Sequence, residues 1–512
     1  GGGGGGARKR ARAAKYERGA GAGPAGVKDK KLAGSLRRQE RRIAEAVQSA
    51  AAAEVLLPEA AGLLEAVGPL ERTFKLRQRA LAPLVDEQTV QKMFSLRLGA
   101  LGPYGAAYSR DGRHLLLCGA RGHVATLNWT TKALKAELHL QETCRDAVFL
   151  HSQAYFAVAQ RRHAYIYDGA GTELHCLKQH VAPNALSFLP HHFLLASVGD
   201  SGWLKYQDTS TGALVAEHRT RLGACRVLAQ NPASAVLHLG HARGQVSLWA
   251  PNQARALVQL LAHAGAVQAL AVDRGGTRMY SAGADGTLKA WDLRTYGELH
   301  CMRGRAPVAS LAVSQRGLLA AAGGGVVHVW QGLAQGAPAP ALYMEERLQG
   351  RAARLAFCPY EDVLGLGTDA GFRSLLVPGA GEPNFDSFAA NPFQNKKQAR
   401  EAEVHALLDK VQPEMITLAP GVVGSVGGAD AQAAHEAARP EARAAKAKHK
   451  ARGKSSVLRR VRKKQKNVFD EKRMKIRQQN ERKQRQEAKE AARAARGAAA
   501  PDALDRFARR KQ

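Results

Sequence analysis

Residues 267–292 read VQALAVDRGGTRMYSAGADGTLKAWD, and this segment carries the clearest evidence of the fold. It contains three short apolar runs, VQALAV, RMYSA and LKAWD, and each has the length and composition of a β-strand. The runs are separated by DRGGT and GADGT, whose Gly, Asp and Thr residues favour tight turns. The stretch therefore predicts an antiparallel unit, and LRTYGELHCM after it adds a turn and a fourth strand.

The same pattern of apolar runs and turns occurs seven times between Leu101 and Pro378. The third run of each copy ends at Leu127-Asn128, Tyr167-Asp168, Gln207-Asp208, Trp249-Ala250, Trp291-Asp292, Trp330-Gln331 and Leu376-Val377. The intervals are 40, 40, 42, 42, 39 and 46 residues, the period of four-stranded propeller blades. We therefore predict an all-β fold, a seven-bladed WD40 β-propeller with helical amino- and carboxyl-terminal extensions. Such an array is a binding scaffold more often than an enzyme.

Four residues of the fifth repeat, His263, Ser281, Asp285 and Trp291, have the spacing of the WD-repeat hydrogen-bond tetrad. In that arrangement the turn Asp accepts from the loop His, which reaches the Ser and then the indole N–H, so buried polar groups are satisfied. The alternative is a Ser/His/Asp catalytic triad, but no nucleophile turn accompanies these residues. Other repeats lack most of the tetrad, and Gln207 stands where the third repeat would have Trp.

The formal net charge of +32 lies mostly at the two ends of the chain. Residues 441–512 hold 26 Lys and Arg against 8 Asp and Glu, a net +18, and residues 1–49 hold 13 against 4, a net +9. The remainder is +32 − 18 − 9 = +5, so the propeller is nearly balanced. Tails of this charge indicate a polyanionic partner, with solvated disordered tails or nuclear-import signals as the alternative.

The six cysteines stand singly, without a CxxC pair or a Cys/His cluster, so neither a disulfide framework nor a zinc site is indicated. No apolar run approaches the length needed to span a bilayer, and the Gly- and Arg-rich amino end has no signal-peptide core. We expect a soluble intracellular protein with no cofactor, no metal and no small-molecule substrate. The six single cysteines are Cys118, Cys144, Cys176, Cys225, Cys301 and Cys358.

Composition divides the chain into five parts. They are a basic low-complexity tail (1–34), a segmented helical extension (35–93), the propeller (94–383), a post-propeller segment with a helix and a linker (384–440), and a basic helical tail (441–512). Within the extension, two helix-favouring runs are separated by Pro58, and the second has breaks at Gly68-Pro69 and Pro83.

Residues 94–98, FSLRL, alternate between apolar and polar side chains, as a half-buried strand does. We expect them to close the ring; a plain linker is the alternative.

The post-propeller segment begins with aromatic and turn residues and has the composition of a segment laid over a surface. The residues that we expect to dock partners are Asn384, Phe385, Phe388, Asn391, Pro392, Phe393, Gln394, Lys396 and Lys397. Residues 396–411 then predict a helix that ends before Pro413. Its apolar stripe consists of Ala399, Ala402, Val404, Leu407, Leu408 and Val411.

The basic tails are candidates for contact with the RNA backbone, because they are rich in cations and poor in the aromatic residues that base stacking requires. The apolar residues of the carboxyl-terminal tail are too few to form a core, so we expect a partner to order it. The candidate phosphate-binding residues are Arg8, Lys9, Arg10, Lys446, Lys448, Lys450, Arg452, Lys454, Arg459, Arg460, Arg462, Lys463, Lys464 and Lys466.

Five segments carry a resemblance to a known family. They are LLPEAAGLLEA (56–66), LERTFKLRQ (70–78), GPYGAAYSRDGRHLLLCGARGHVATLNW (102–129), FLPHHFLLASVGDSGWLKYQDTSTG (188–212) and NFDSFAANPFQNKKQAREAEVHALLDKVQPEMI (384–416). Together they resemble a family of nucleolar WD-repeat proteins of the small-subunit processome. This family is the seventh in the series of U3 small nucleolar RNA-associated proteins. NPFQNKKQ is the most specific element, and Asn128 departs from the pattern by standing where Asp is commoner.

The resemblance implies a scaffold in the nucleolus that associates with pre-ribosomal RNA, the U3 ribonucleoprotein and other processome proteins in 18S rRNA processing. The alternative is a WD40 adaptor for chromatin or ubiquitin-ligase complexes. The residues show no constellation for acid/base, nucleophilic or metal chemistry, so we expect no enzyme activity. GAGAGPAG near Gly19 lacks the Lys-Ser/Thr of a phosphate loop.

Overall fold

The computed structural model describes residue 16 and residues 29–53, 62–66, 68, 71–304, 306–333, 340–384, 390–418 and 471–497; in the last range, side chains are described for residues 475–492. The described strands form seven antiparallel four-stranded sheets. Each sheet is one blade, and we letter its strands a to d from the centre of the ring outwards. This confirms the predicted fold class, a seven-bladed β-propeller with helical segments before and after it in the chain.

The strands of the first four blades follow one another in chain order. Blade one contains Tyr104–Tyr108 (β2), His114–Gly119 (β3), His123–Asn128 (β4) and Ala133–His139 (β5). Blade two contains Cys144–Phe149 (β6), Tyr155–Gln160 (β7), Ala164–Asp168 (β8) and Glu173–Leu177 (β9). Blade three contains Pro183–Leu189 (β10), Leu194–Gly199 (β11), Trp203–Asp208 (β12) and Leu214–Arg219 (β13). Blade four contains Cys225–Gln230 (β14), Leu237–His241 (β15), Gln245–Trp249 (β16) and Val258–Leu261 (β17).

Blades five and six repeat this order, and blade seven takes its outer strand from the beginning of the propeller. Blade five contains Val267–Val272 (β18), Arg278–Gly283 (β19), Thr287–Asp292 (β20) and Gly297–Arg303 (β21). Blade six contains Val308–Val313 (β22), Leu319–Gly323 (β23), Val326–Gln331 (β24) and Ala341–Arg347 (β25). Blade seven contains Ala352–Phe357 (β26), Val363–Thr368 (β27), Gly371–Leu376 (β28) and Ser95–Arg97 (β1).

The ring is closed by β1, the strand predicted from FSLRL. It pairs antiparallel with β28, with Leu96 opposite Phe372. Two hydrogen bonds frame the pairing, since Ser374 N donates to Phe94 O at 2.9 Å and Leu98 N donates to Ala370 O at 2.9 Å. The last blade therefore depends on a strand that is more than 250 residues away in sequence, and its c strand is not left as an exposed edge.

Burial follows the position of each strand in its blade. Strands β3 and β11 are buried along their whole length, because neighbouring blades cover both faces of a b strand. The d strand β5 is mostly exposed. Apolar clusters join adjacent blades, and the largest contains Leu194 of blade three, Leu237 of blade four and Met279 of blade five.

The ring has two ends, which the antiparallel order makes distinct. The b–c turns and the d–a loops lie at one end, which we call the open face. The a–b and c–d turns lie at the other end, which we call the covered face because both extensions contact it, as described below.

The amino-terminal extension is less helical than predicted. A helix, α1, spans Lys30–Ala53 and so begins five residues before the predicted boundary at residue 35. The second predicted helical run differs most, because residues 62–66 have no regular structure. It is followed only by short elements, the 3-10 turns Thr73–Lys75 and Ala82–Leu84 and the one-turn helices Gln78–Leu81 (α2) and Glu87–Val90 (α3). Contacts with the propeller, given below, compete with the helix propensity of this run.

After blade seven, helix α4 spans Lys396–Leu408 and ends three residues before the predicted end at residue 411. Its first turn is stabilised by a capping box, in which the Asn395 and Gln398 side chains each bond the other residue's backbone N–H. A 3-10 turn follows at Pro413–Met415, and a separate helix, α5, spans Glu471–Gly497. None of the helices in the described ranges has the length and apolarity needed to cross a bilayer.

Candidate interaction surfaces

The predicted tetrad residues of blade five lie within hydrogen-bond distance of one another. His263 Nε2 lies 2.8 Å from Ser281 Oγ, and Trp291 Nε1 donates to the same Oγ at 2.9 Å. His263 Nδ1 lies 2.9 Å from Thr287 Oγ1 and 3.3 Å from Asp285 Oδ2. Sequence reasoning missed Thr287, which stands two residues after the turn Asp and bonds both Asp285 and His263.

The environment of this tetrad is that of a structural network. Ser281 has 0% of its surface exposed, so no substrate can reach its hydroxyl. Burial lowers the pKa of His263, which keeps the imidazole neutral. Burial alone would raise the pKa of Asp285, but hydrogen bonds from Thr287 and the nearby His263 outweigh it and hold the pKa at about 2. The network therefore stiffens the blade and offers no accessible nucleophile.

Blade three keeps more of the tetrad than the sequence suggested. His180 Nδ1 lies 2.5 Å from Ser197 Oγ, and His180 Nε2 lies 2.7 Å from Gln207 Oε1. Gln207 occupies the Trp position and bonds the histidine directly. The His–Ser contact of the tetrad is therefore kept in blade three, while Gln207 bonds the histidine and not the serine, to which the blade-five indole donates. Burial lowers the pKa of His180 to about 4.

Among the residues that the structure describes, one group of possible metal ligands comes together that sequence reasoning missed. The ligand atoms of His123, Glu137 and His139 lie within 4.8 Å of one another. His123 and His139 are opposite each other on β4 and β5, so two strands present all three side chains on one face. His123 Nε2 is bonded to Glu137 at 3.1 Å, and Nδ1 is bonded to the Tyr104 hydroxyl at 2.9 Å. These bonds satisfy the buried ring without an ion.

The partner-docking residues lie where the chain leaves the propeller. Asn384, Asn391, Pro392, Phe393, Gln394, Lys396 and Lys397 are described, whereas Phe385 and Phe388 lie outside the described residues. The Phe393 side chain is 73% exposed, and Gln394 O accepts a hydrogen bond from Arg113 in the a–b turn of blade one at 3.4 Å. This end of the segment is thus attached through its backbone, while its aromatic ring faces outwards.

Further along, the segment crosses blades two and three on the covered face. His151 Nε2 of blade two lies 3.0 Å from Glu403 Oε1 of α4. Val411 N donates to His191 O at 2.9 Å, and His192 Nδ1 lies 3.0 Å from Val411 O. Two backbone groups of the segment are therefore held by consecutive residues of one propeller turn.

The segment ends its described course on blades three and four. Lys410 forms an ion pair with Asp208, the last residue of β12. Asn252 Nδ2 lies 3.3 Å from both Glu414 O and Ile416 O. The Ile416 side chain is only 1% exposed and joins the apolar cluster shared by blades three, four and five. Ile416 is therefore the main apolar anchor of the segment.

The apolar stripe of α4 does not face the propeller. No residue of this helix is buried, and Leu408 is 76% exposed. The helix touches blade two through Glu403, while Val404 and Leu407 are also exposed. The stripe is accordingly a surface that the described part of the chain leaves uncovered.

The amino-terminal extension attaches to blades six and seven on the same covered face. The buried Gln78 amide bonds the backbone of Leu376 twice, as a donor to its O at 2.8 Å and as an acceptor from its N at 2.9 Å. Lys92 Nζ lies 2.6 Å from Glu361 Oε2, and Leu64 N donates to the Tyr343 hydroxyl at 3.0 Å. Both extensions therefore occupy one end of the ring.

All the candidate phosphate-binding residues, from Arg8 to Arg10 and from Lys446 to Lys466, lie outside the described residues. The described part of the carboxyl-terminal tail is α5. Every side chain described on it, residues 475–492, is exposed, and its sequence is dominated by Lys, Arg, Gln and Glu. This helix contributes charge to the surface and buries no apolar face.

With the geometry established, comparison with known proteins identifies the family. U3 small nucleolar RNA-associated protein 7 of Saccharomyces cerevisiae is 41% identical to this chain over 483 residues, which cover 88% of this chain and 87% of that protein. This chain belongs to that family. WD repeat-containing protein 46 is 45% identical in Mus musculus, covering 94% of this chain and 78% of that protein. The Homo sapiens protein of the same name is 44% identical, with 90% and 76% covered.

Two family models match parts of this member of the U3 small nucleolar RNA-associated protein 7 family. The model described as WD domain, G-beta repeat matches residues 255–292, which include the whole tetrad of blade five. The model described as BING4CT (NUC141) domain matches residues 342–419. That range contains most of β25, the three strands β26 to β28 and the post-propeller segment up to Ile416. The segment that lies on the covered face is therefore part of a defined family domain.

Proposed function

We propose that this protein is a non-enzymatic scaffold of the small-subunit processome. It binds pre-ribosomal RNA, the U3 ribonucleoprotein and assembly proteins in the nucleolus, and it supports 18S rRNA processing and formation of the small ribosomal subunit. The observation that carries this proposal is the similarity, over 88% of the chain, to a protein named for its association with U3 RNA.

The propeller supplies a rigid platform in this proposal. A closed ring of seven blades has no exposed c-strand edge, and the tetrad of blade five and the histidine network of blade three reinforce it internally. The only Ser/His/Asp grouping predicted from the sequence is buried at its serine. A platform of this kind suits assembly of several partners better than turnover of a substrate.

The post-propeller segment supplies a protein-docking element. The exposed Phe393 ring and the exposed stripe of α4 are apolar surfaces on a segment whose backbone is already fixed to the propeller. Prior ordering of the backbone lowers the entropic cost of binding. We assign the partner-docking role to residues 384–397, with Asn391, Pro392 and Phe393 presented at the beginning of α4.

The basic tails supply contacts with RNA. Residues 441–512 carry a net +18, and the Lys and Arg residues between 446 and 466 form their densest run. The 27-residue helix α5 has a length of about 40 Å, so a cationic rod of this kind can follow a phosphate backbone. Because the contacts are ionic, binding should depend strongly on salt and only weakly on base sequence.

The test replaces the eleven cationic residues from Lys446 to Lys466 with Gln in the full chain. We expect weaker RNA binding and a smaller dependence of log affinity on log salt, by about 0.7 for each single-strand phosphate that the tail no longer neutralises. The control replaces only the lysines of this run with Arg, which keeps the charge, and should retain binding.

Sedimentation of the protein from cell extracts tests the same proposal, because it shows which particle contains the protein. We expect co-sedimentation with pre-ribosomal particles that RNase treatment abolishes. Sedimentation with nucleosomes or with a ubiquitin ligase, insensitive to RNase, would contradict the proposal and favour the adaptor alternative.

A further inference from the structure

The two faces of the propeller differ in what covers them. The covered face carries the amino-terminal extension on blades six and seven and the post-propeller segment on blades one to four. The hydrogen bonds and ion pairs that join the described parts of these extensions to turns of the ring lie on this face. None of the hydrogen bonds and ion pairs given above for the described extensions reaches the b–c turns or d–a loops of blades two to four.

The two faces also differ in charge within blades two to four. The open-face connections, residues 161–163, 178–182, 200–202, 220–224, 242–244 and 262–266, contain five Lys or Arg residues. The covered-face turns of the same blades, residues 150–154, 169–172, 190–193, 209–213, 231–236 and 250–257, contain one, Arg255. Within blades two to four, the open face is therefore more cationic than the covered face.

The cations of the open face are exposed and largely free of internal ion pairs. Arg161, Arg162, Arg221 and Arg243 are exposed, and their side chains form no ion pair with the described residues. The same connections contain a single carboxylate, Asp200. It is already held by Asn184 at 2.8 Å and by Arg145 at 3.1 Å.

From these observations we infer that the open face of blades two to four is a second RNA-binding surface, which contacts the phosphate backbone through Arg161, Arg162, Arg221 and Arg243. The inference rests on the proposed function and extends it from the tails to the propeller. Arginine suits this role because its planar guanidinium can donate two parallel hydrogen bonds to one phosphate.

The composition of the face favours a nucleic-acid backbone over an acidic protein. Protein interfaces are anchored by buried aromatic and apolar side chains. The six open-face connections contain no Phe, Tyr or Trp, and Val181 is their one large apolar side chain that is exposed among the described residues. The absence of aromatic residues also argues against base stacking, so we expect little sequence selectivity.

Two matched variants of the full chain test this inference. The open-face variant is R161Q, R162Q, R221N and R243Q, with Asn at position 221 because that backbone has a φ of 58°, which Asn tolerates. The control variant is R79Q, R255Q, R274Q and R400Q, which removes the same number of charges from exposed positions on the covered face or on the two extensions. Thermal unfolding of both variants establishes that they are folded.

The measurement is fluorescence anisotropy of a labelled single-stranded RNA as a function of salt. We expect the open-face variant to bind at least about tenfold more weakly at ~100 mM salt, with a log–log salt slope reduced by up to about 3, since each phosphate contributes about 0.7. The control variant should change the affinity by less than about twofold. Ultraviolet crosslinking to the intact chain should place RNA on peptides that contain residues 161–162, 221 and 243.

The outcomes separate this inference from the proposed function. If the full chain binds RNA and the two variants bind alike, the inference is wrong and RNA contact by the tails stands. If the open-face variant loses binding to polyglutamate but keeps its affinity for RNA, the face recognises an acidic protein and the inference is again wrong. If the unaltered chain binds no RNA, both proposals fall.

Discussion

At the scale of single residues, buried histidines hold the blades together as neutral hydrogen-bonding groups. His180 contacts Ser197 and Gln207 in blade three, and His263 contacts Ser281 in blade five. Burial lowers the pKa of both rings, and that of His180 falls to about 4. A neutral ring can donate from one nitrogen and accept at the other, which is what two hydroxyl or amide partners require.

This lowered pKa predicts a loss of stability in acid. The unfolded chain protonates His180 near its ordinary pKa of 6.5, whereas the folded chain does so only near 4. Stability is therefore complete above pH 6.5 and falls as the pH decreases towards 4, because the unfolded state takes up the proton first. For His180 alone, the free energy of unfolding is lower at pH 5 than above pH 6.5 by about 2 kcal/mol.

The measurement is urea unfolding at pH 7 and pH 5. In His180→Gln the decrease in the free energy of unfolding between these pH values should be smaller by about 2 kcal/mol than in the unaltered chain. His175→Gln, on the exposed outer strand β9, is the control for replacing a histidine with glutamine at an exposed site. Equal pH dependence of the unaltered chain and His180→Gln would show that His180 does not titrate differently on folding.

At the scale of elements, ring closure depends on a close approach between two backbones. A Cβ atom added at Gly371 would lie 2.1 Å from Leu96 O and 2.7 Å from Leu98 N. The φ of Gly371 is +134°, which other residues rarely adopt. This glycine therefore lets β1 complete blade seven, and a side chain at this position would push β1 away from β28.

Gly371→Ala should accordingly destabilise the protein by more than about 2 kcal/mol, measured by thermal or urea unfolding, and should expose residues 94–98 to protease. Gly350→Ala is the matched control, because Gly350 also has a positive φ of +113° but no atom within 4 Å of the added Cβ. Its free energy of unfolding should fall only by the cost of a positive φ at a non-glycine residue, about 1–2 kcal/mol, and no cleavage near β1 should appear. Equal losses in the two variants would refute the steric explanation.

At the scale of the whole propeller, the two extensions make one end of the ring different from the other. Gln78 and Lys92 attach the amino-terminal extension to blades six and seven, while Lys410 and Ile416 attach the post-propeller segment to blades three and four. The covered face is thereby occupied by the chain itself. Partners that bind there must contact the extensions, whereas the open face presents propeller turns directly.

Ile416 should control whether the post-propeller segment stays on the covered face. Its removal in Ile416→Ala leaves a cavity in the cluster of blades three to five and should weaken docking of the segment by about 2–5 kcal/mol. The measurement is the rate of protease cleavage within residues 390–418, which should increase. Leu408→Ala, at a side chain 76% exposed, should leave the rate unchanged. Unchanged cleavage in Ile416→Ala would mean that the polar contacts alone hold the segment.

The number and the order of the blades can be predicted from local sequence patterns alone. The third strands end at the seven predicted dipeptides or within one residue of them, for example β20 at Asp292 and β28 at Leu376. The reason is local: turn residues and apolar runs repeat within each blade, and each blade is a meander of neighbouring strands. The residues of the blade-five tetrad could be named for the same reason, since they belong to a repeat with fixed spacing.

The covered surfaces and the charged surfaces, in contrast, could not be located without the folded ring. The uncovered stripe of α4, the buried position of Ile416 and the non-helical course of residues 62–66 depend on contacts with blades distant in sequence. The arginines of the open face lie in three connections that are far apart in the sequence, and the alternation of strand direction brings Arg161, Arg221 and Arg243 to the same end of three blades. Periodicity specifies local structure, whereas the placement of a surface requires the ring to close.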